Sequence, residues 1–411
     1  MNNTKRLVQR LLVGGIAAAT VATGLIVGVA GPASADPVGD LVGVGSDTTQ
    51  DVMNGVADSI GLGLIGSWDA IDPNSKAQHL AISPKRGCSL NRPNGSGQGV
   101  TALRQSGNVA AAIAAPFADE TDLPEAGCVD FARSSGDPGT SQSNTGRWAY
   151  VPFALDAVGV ASQHFGDATA TNYNQLGYDP SNAATGTGTL QKLYRDGQPV
   201  VLGGVTYDPQ CNAAPCTGGA TPIHLYIPQN GSGTRSFWLS KMGIGTVPAW
   251  LHDHAWTGTD YNGALVEEHD GTVLQGDANG IAPFSIAQWV SQRNGHGDRR
   301  HGAHLHSLVN VGVTPNVTVN PLSGAFPTAE TGNLNASFII RREVYNVVEW
   351  KKVNVGNAAF DAKLYSVFGP GQGLCGKSAV ILSYGFALLN SAPLGHTCGA
   401  IVDGLRAFGT D

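Results

Sequence analysis

Gly231-Ser232-Gly233-Thr234-Arg235 stands directly before an apolar segment at helical spacing, formed by Phe237, Trp238, Met242 and Ile244. The first amide hydrogens of a helix have no partner inside it and point outward, and the aligned peptide dipoles add partial positive charge there. Ser232 and Thr234 would add hydroxyl donors, and Gly233 would let the backbone approach a compact group. Arg235 would offer a forked, charge-assisted contact to the oxygens of an anion. Plain helix capping is the alternative, since Ser and Thr are ordinary cap residues. The composition recurs, however, at Gly45-Ser46-Asp47-Thr48-Thr49, at Gly95-Ser96-Gly97-Gln98-Gly99 and at Arg133-Ser134-Ser135. Repeated junctions of this kind point to an oxyanion site assembled from separate segments. Its candidate residues are Ser46, Asp47, Thr48, Ser96, Arg133, Ser134, Ser135, Ser232, Gly233, Thr234 and Arg235.

The elements that must position these loops are legible as an α/β alternation. Residues 40–60 predict a strand, a Gly/Ser/Thr turn and a helix whose apolar face is Val52, Met53, Val56, Ala57 and Ile60. Residues 148–163 form a near-continuous apolar run, expected of a strand covered on both faces. Residues 223–229 predict a strand leading into 231–235, residues 128–135 a strand ending in a polar loop, and residues 336–350 a further strand. Residues 293–306, rich in His and Gly, predict a solvated polar loop, and the tail from Asn357 predicts helix. Arg341 and Arg342 are expected as surface or hinge-adjacent charges, and Asp156 as a buried group near a junction between lobes.

The first 35 residues predict a cleaved signal peptide: Lys5, Arg6 and Arg10 begin it, an apolar stretch follows, and Ala33-Ser34-Ala35 ends it. Without them, 21 Lys+Arg face 31 Asp+Glu, so the formal charge moves from −7 to −10. That balance argues against nucleic acid or an anionic membrane as partner. It allows a small anion held by local backbone dipoles. The expected mature protein is secreted, monomeric and not inserted in a membrane. Six cysteines in an exported chain suggest disulfides, for which fifteen pairings exist. Pairing of neighbours is expected: Cys88 with Cys128, Cys211 with Cys216, and Cys375 with Cys398.

The order G-S-D-T at 45–48, G-S-G at 95–97, D-F-A-R-S-S at 130–135, Y-V-P-F-A-L-D-A-V-G-V at 150–160, G-S-G-T at 231–234 and A-S-F-I-I-R-R-E-V-Y-N-V-V at 336–348 resembles the phosphate-specific substrate-binding proteins of ABC transporters. The likeness runs from about residue 40 to about residue 350. It implies a two-lobed class II solute-binding fold, with residues 37–152 plus 300–411 as one lobe and 153–299 as the other. A tetrahedral oxyanion, phosphate first, would lie between the lobes, without cofactor or turnover, for delivery to an ABC permease. The resemblance assigns ligand contacts to Asp47, Thr48, Ser96, Ser135, Ser232, Gly233 and Thr234. Two positions depart from the family pattern. Pro228 stands where an arginine is usual, and Ser135 where an aspartate is usual. Arg133 or Arg235 is expected to replace the cation, and Asp47 the acceptor that selects a protonated anion.

Competing motifs have poorer contexts. Residues 371–378 fit G-x4-G-K-S, yet Pro370 precedes them where an apolar strand should end. His252, His254, His296, His301, His304 and His306 could bind a metal, though solvated loops explain them as well. A secreted hydrolase acting on phosphate esters would need a nucleophile beside a base, and G-x-S-x-G does not occur. An adhesion or signalling module that keeps the fold without the ligand is the third expectation.

Overall fold

The computed structural model describes residues 39–411 except 62, 74, 76, 118–121 and 390–394, so the expected signal peptide lies outside the described residues. The described residues belong to one compact unit, built around a ten-stranded sheet. Its strands are β1 (Leu41–Gly45), β2 (Ile65–Ser67), β3 (Phe131–Ser134), β4 (Trp148–Ser162), β5 (His224–Tyr226), β6 (Leu251–His252), β7 (Gly280–Ser285), β8 (His304–Leu305), β9 (Arg341–Glu349) and β10 (Arg406–Ala407). Their order is β6-β5-β7-β4-β9-β3-β1-β2, with β8 and β10 also paired to β4. The sheet therefore has two parallel wings. In one, β1 lies between β2 and β3. In the other, β5 lies between β6 and β7. The antiparallel pair β4 and β9 joins them.

β4 explains why one strand can serve both wings. All fifteen of its residues are buried, as the apolar run from Trp148 to Ser162 requires. Its pairing with β9 shifts register between Val344, opposite Ala154, and Tyr345, opposite Pro152. Phe153 is the extra residue of this bulge, beside a proline that has no N–H to give a ladder. The boundary between wings thus falls at residues 152–154. Just beyond it Asp156 faces Arg342 across the strands. The Asp156 carboxylate accepts from Arg342 Nη2 at 2.9 Å, Ser285 Oγ at 2.9 Å and Ala287 N at 3.1 Å. Asp156 is buried, as the sequence suggests. Arg342 is buried too, so of the two expected placements, surface or hinge-adjacent, the first does not hold for it.

Four helices matter for the site: α1 (Gln50–Ile60), α2 (Ser96–Ser106), α3 (Gly233–Met242) and α4 (Ile286–Arg293). α1 buries Val52, Met53 and Val56, the face predicted from spacing. The 293–306 segment is a loop only in part. His304 and Leu305 form β8 against β4, and His306 is buried with Nε2 2.7 Å from Ser162 Oγ. Among the described residues the tail carries two short α-helices, Ala362–Phe368 and Ser378–Ser383. Between them lies the G-x4-G-K-S stretch, with Cys375 bonded to Cys398. Cys88 is bonded to Cys128 and Cys211 to Cys216. No helix among the described residues is long and apolar enough to cross a membrane.

Candidate functional site

The loops that follow β1, β3 and β5 meet one another and the start of α2. Glycine makes the approach possible. A Cβ on Gly95, whose φ is +101°, would come within 2.6 Å of Gly231 O, and Gly97 N donates to that same carbonyl at 3.2 Å. A Cβ on Gly233 would lie 2.4 Å from Ser96 Oγ and 2.7 Å from Ser135 Oγ. Ser96 Oγ accepts from Ser135 N at 3.0 Å and lies 3.2 Å from Ser135 Oγ. Thr48 Oγ1 and Thr234 Oγ1, 186 residues apart in sequence, lie 3.3 Å apart. The G-S-D-T, G-S-G and G-S-G-T segments do converge.

Their donors converge on a protein carboxylate. Thr48 Oγ1 donates to Glu268 Oε1 at 2.5 Å, Thr234 Oγ1 donates to the same oxygen at 2.6 Å, and Ser232 Oγ donates to Oε2 at 3.0 Å. Backbone amides expected to face a ligand are paired as well. Ser232 Oγ caps α3 by accepting from Thr234 N and Arg235 N, and Asp47 Oδ1 accepts from Thr48 N. Glu268 is placed by the second wing: Ser285 N, at the end of β7, donates to its carbonyl at 2.8 Å. Gln288 of α4 donates to Thr48 O at 2.5 Å and so ties that wing to the β1 loop.

The two arginines expected to supply positive charge both have protein partners. Arg133 is fully buried beneath the β1 loop and donates to the carbonyls of Ser46, Gly43 and Gly45 and to Ser67 Oγ. Burial lowers its pKa to about 10, with Asp69, Asp47 and Asp51 acting in the opposite sense. It shapes the loop from below. Arg235 donates to Pro228 O at 2.9 Å and pairs with Asp253 at 2.8 Å. Ser134 Oγ donates to Gly136 O, within its own turn. Ser46 is buried, with no hydrogen-bond partner for its hydroxyl.

Sequence reasoning missed Glu267, Glu268 and His269. Asp47 and His269 are each 1% exposed and Glu268 is 0% exposed. His269 Nδ1 lies 3.4 Å from Asp47 Oδ2, and its Nε2 lies 3.4 Å from Glu267 Oε2. Burial, then the Asp47 charge, pushes the Glu268 carboxyl up to about 7. Burial alone would lower His269, but the carboxylates of Asp47 and Glu267 outweigh it and hold the imidazole up at about 9. For Asp47, burial would raise the carboxyl, and the His269 contact outweighs that and holds it low. The available signal was Glu267-Glu268-His269-Asp270, four ionisable residues in a row in a chain with only 13% Asp, Glu, Lys and Arg.

No family model and no curated protein matches the sequence. Among solved structures, the chain is similar to an ABC-type phosphate transport receptor from Vibrio cholerae, at 13% identity and a TM-score of 0.43 over 85% of this chain and 100% of that one. It is also similar to a putative phosphate ABC transporter substrate-binding protein with bound phosphate from Clostridium perfringens, at 12% identity and a TM-score of 0.42, covering 84% and 98%. A possible phosphate-binding protein from Planctomyces limnophilus is similar at 10% identity and a TM-score of 0.37, covering 85% and 93%.

Proposed function

We propose that this protein is an exported solute-binding protein whose converging loops form a cradle for a tetrahedral oxyanion, with inorganic phosphate as the ligand and an ABC permease as the recipient. The observation that carries this reading is the carboxylate of Glu268, itself an oxyanion, gathered by the hydroxyls of Thr48, Ser232 and Thr234. Donors that hold one oxyanion can hold another of similar size once Glu268 swings aside. The lobes would be 37–152 with 300–411, and 153–299, closing on a ligand that touches both.

Asp47 gives the reading its choice of anion. Its Oδ2 is buried and makes no hydrogen bond, with His269 Nδ1 3.4 Å away, so it can accept from a guest that brings a proton. Phosphate carries one near neutral pH and sulfate does not. A second reading follows from the same Glu268 contacts: a module that keeps the fold and has closed the cradle on its own side chain. No covalent step is asked of these residues in either case.

Titration calorimetry in chelator-treated buffer separates the readings. Phosphate is expected to bind the unaltered protein and sulfate is not. Glu268→Ala removes the internal competitor and is expected to tighten phosphate by at least about tenfold, or roughly 1.4 kcal/mol. Asp47→Asn is expected to narrow the gap between phosphate and sulfate. Absence of phosphate binding by both the unaltered protein and Glu268→Ala would leave the closed module as the surviving reading.

A further inference from the structure

We infer that Asp47, Glu268 and His269 form a binding site for a divalent first-row transition-metal cation such as zinc. This goes beyond the oxyanion reading and does not rest on it. One ligand atom from each of the three residues lies within 4.8 Å of the others, and all three side chains are buried. Proximity of acids is not sufficient. The further observation is the state of the polar atoms: Asp47 Oδ2 and both nitrogens of His269 are buried with no hydrogen-bond partner.

The spacing fits a shared ion better than a direct bond. A charge-assisted N–H···O contact closes to about 2.7–2.9 Å, whereas His269 Nδ1 and Asp47 Oδ2 stand 3.4 Å apart. An ion with tetrahedral bonds of about 2.0–2.1 Å sets its ligand atoms roughly 3.3–3.4 Å from one another. The ligand set of one imidazole and two carboxylates suits zinc or manganese.

The surroundings match what such a site needs. A metal-bound histidine characteristically gives its other ring N–H to a carboxylate, and Glu267 Oε2 lies 3.4 Å from His269 Nε2, a gap it would have to close to accept that proton. Glu267 is itself steadied by Asn94 Nδ2 at 3.2 Å. The hydroxyls of Thr48, Ser232 and Thr234 fix the Glu268 carboxylate while leaving Oε2 with lone-pair capacity beyond its bond to Ser232. Ser285 N holds the Glu268 backbone. A cation here would offset the mutual repulsion of Asp47, Glu267 and Glu268, which burial otherwise intensifies.

The test uses the full chain, stripped with chelator and titrated with Zn2+ in phosphate-free buffer. One equivalent is expected to bind and to survive gel filtration, and Co2+ in its place is expected to give an absorption spectrum of nitrogen and oxygen ligation. His269→Gln and Asp47→Asn should each weaken Zn2+ by more than about tenfold, and Glu267→Gln, acting through the ring, by about tenfold or more. Circular dichroism on each variant identifies those that fold, and Glu267→Gln keeps the test open if the ligand variants do not. A paired change of two half-buried histidines away from this cluster, His252→Ala with His254→Ala, should leave the tight equivalent in place. Failure to bind Zn2+, or binding that survives at His269 and is lost with His252 and His254, overturns the site. Neither result bears on phosphate, which is titrated separately in chelator.

Discussion

Among the described residues two histidine–carboxylate clusters are buried, and they are finished to different degrees. In the first, His224 Nδ1 lies 2.7 Å from Asp277 Oδ2 and Nε2 lies 2.8 Å from Asn212 O. Asp277 Oδ2 also accepts from Tyr226 Oη at 2.6 Å, and Oδ1 accepts from Asn279 N at 3.0 Å. In the second, both nitrogens of His269 stop 3.4 Å short of carboxylates. Around it Ser46 Oγ, Asp47 Oδ2, Asn94 Oδ1 and Gln288 Oε1 are buried without hydrogen bonds. Buried polar groups are nearly always paired. The first cluster is completed by the protein and reads as structure. The second has bonding capacity left over, which the proposed ligand would complete.

The largest expected effect breaks the finished cluster. Asp277→Ala strips partners from His224, Tyr226 and Asn279 at once, and should lower the free energy of unfolding by about 3–5 kcal/mol. Glu268→Gln keeps the shape and removes a buried charge, so it should be neutral or stabilising, within about 1 kcal/mol. Urea titrations of both variants measure the difference. Equal losses would mean that the unfinished cluster is structural after all.

A pH series sharpens the same contrast. Glu268 has a folded pKa of about 7 against an ordinary 4.5, so the folded state holds a proton that the unfolded chain releases first. Stability is then greatest below about pH 4.5 for this group and falls as the pH rises through 7. His269, held at about 9 against 6.5, contributes stability that is full below 6.5 and is lost as the pH rises through 9. Both groups slope in one direction. In chelator, the unfolding free energy should decline continuously from pH 5 to pH 9. Glu268→Gln should flatten the lower part of that decline. A curve unchanged by Glu268→Gln would show that its carboxyl is ionised throughout.

Local patterns in the sequence were enough for the elements and for the loops. The apolar run at 148–162 could be little else than a doubly covered strand, and Gly-Ser-Gly-Thr before Phe237 marks a helix entrance whatever lies opposite. The placement of Cys partners near one another in sequence also survives in the folded chain. What pattern could not supply is the occupant of the cradle. Glu268 belongs to a segment with no strand or helix period of its own, and it reaches Thr48 across 220 residues. Arg133 and Arg235 show the converse limit. Their types suit an anion, but charge in a sequence has no direction, and the fold aims Arg133 mainly at carbonyls and Arg235 at a carbonyl and the Asp253 carboxylate. The burial of Arg342 was hidden for a similar reason, since its partner Asp156 is 186 residues away and is met only through the register of β4 and β9.

The smallest effect concerns Arg235, the cation nearest in sequence to the cradle. Its guanidinium pairs with Asp253, which is itself partly exposed, and it also holds Pro228 O. A solvent-screened pair of this kind contributes about 0–1 kcal/mol, so Arg235→Ala should change the urea midpoint little. It should also leave phosphate affinity within about twofold, because the cradle hydroxyls of Thr48, Ser232 and Thr234 keep their positions without it; a twofold change corresponds to roughly 0.4 kcal/mol. Calorimetry on this variant decides the matter. A loss of phosphate binding greater than about tenfold would mean that Arg235 leaves Asp253 and turns inward when the ligand arrives. The unfinished cluster would then be completed by a side chain from its own helix entrance, and the contrast with the His224 cluster would be one between two conformations and not between structure and ligand.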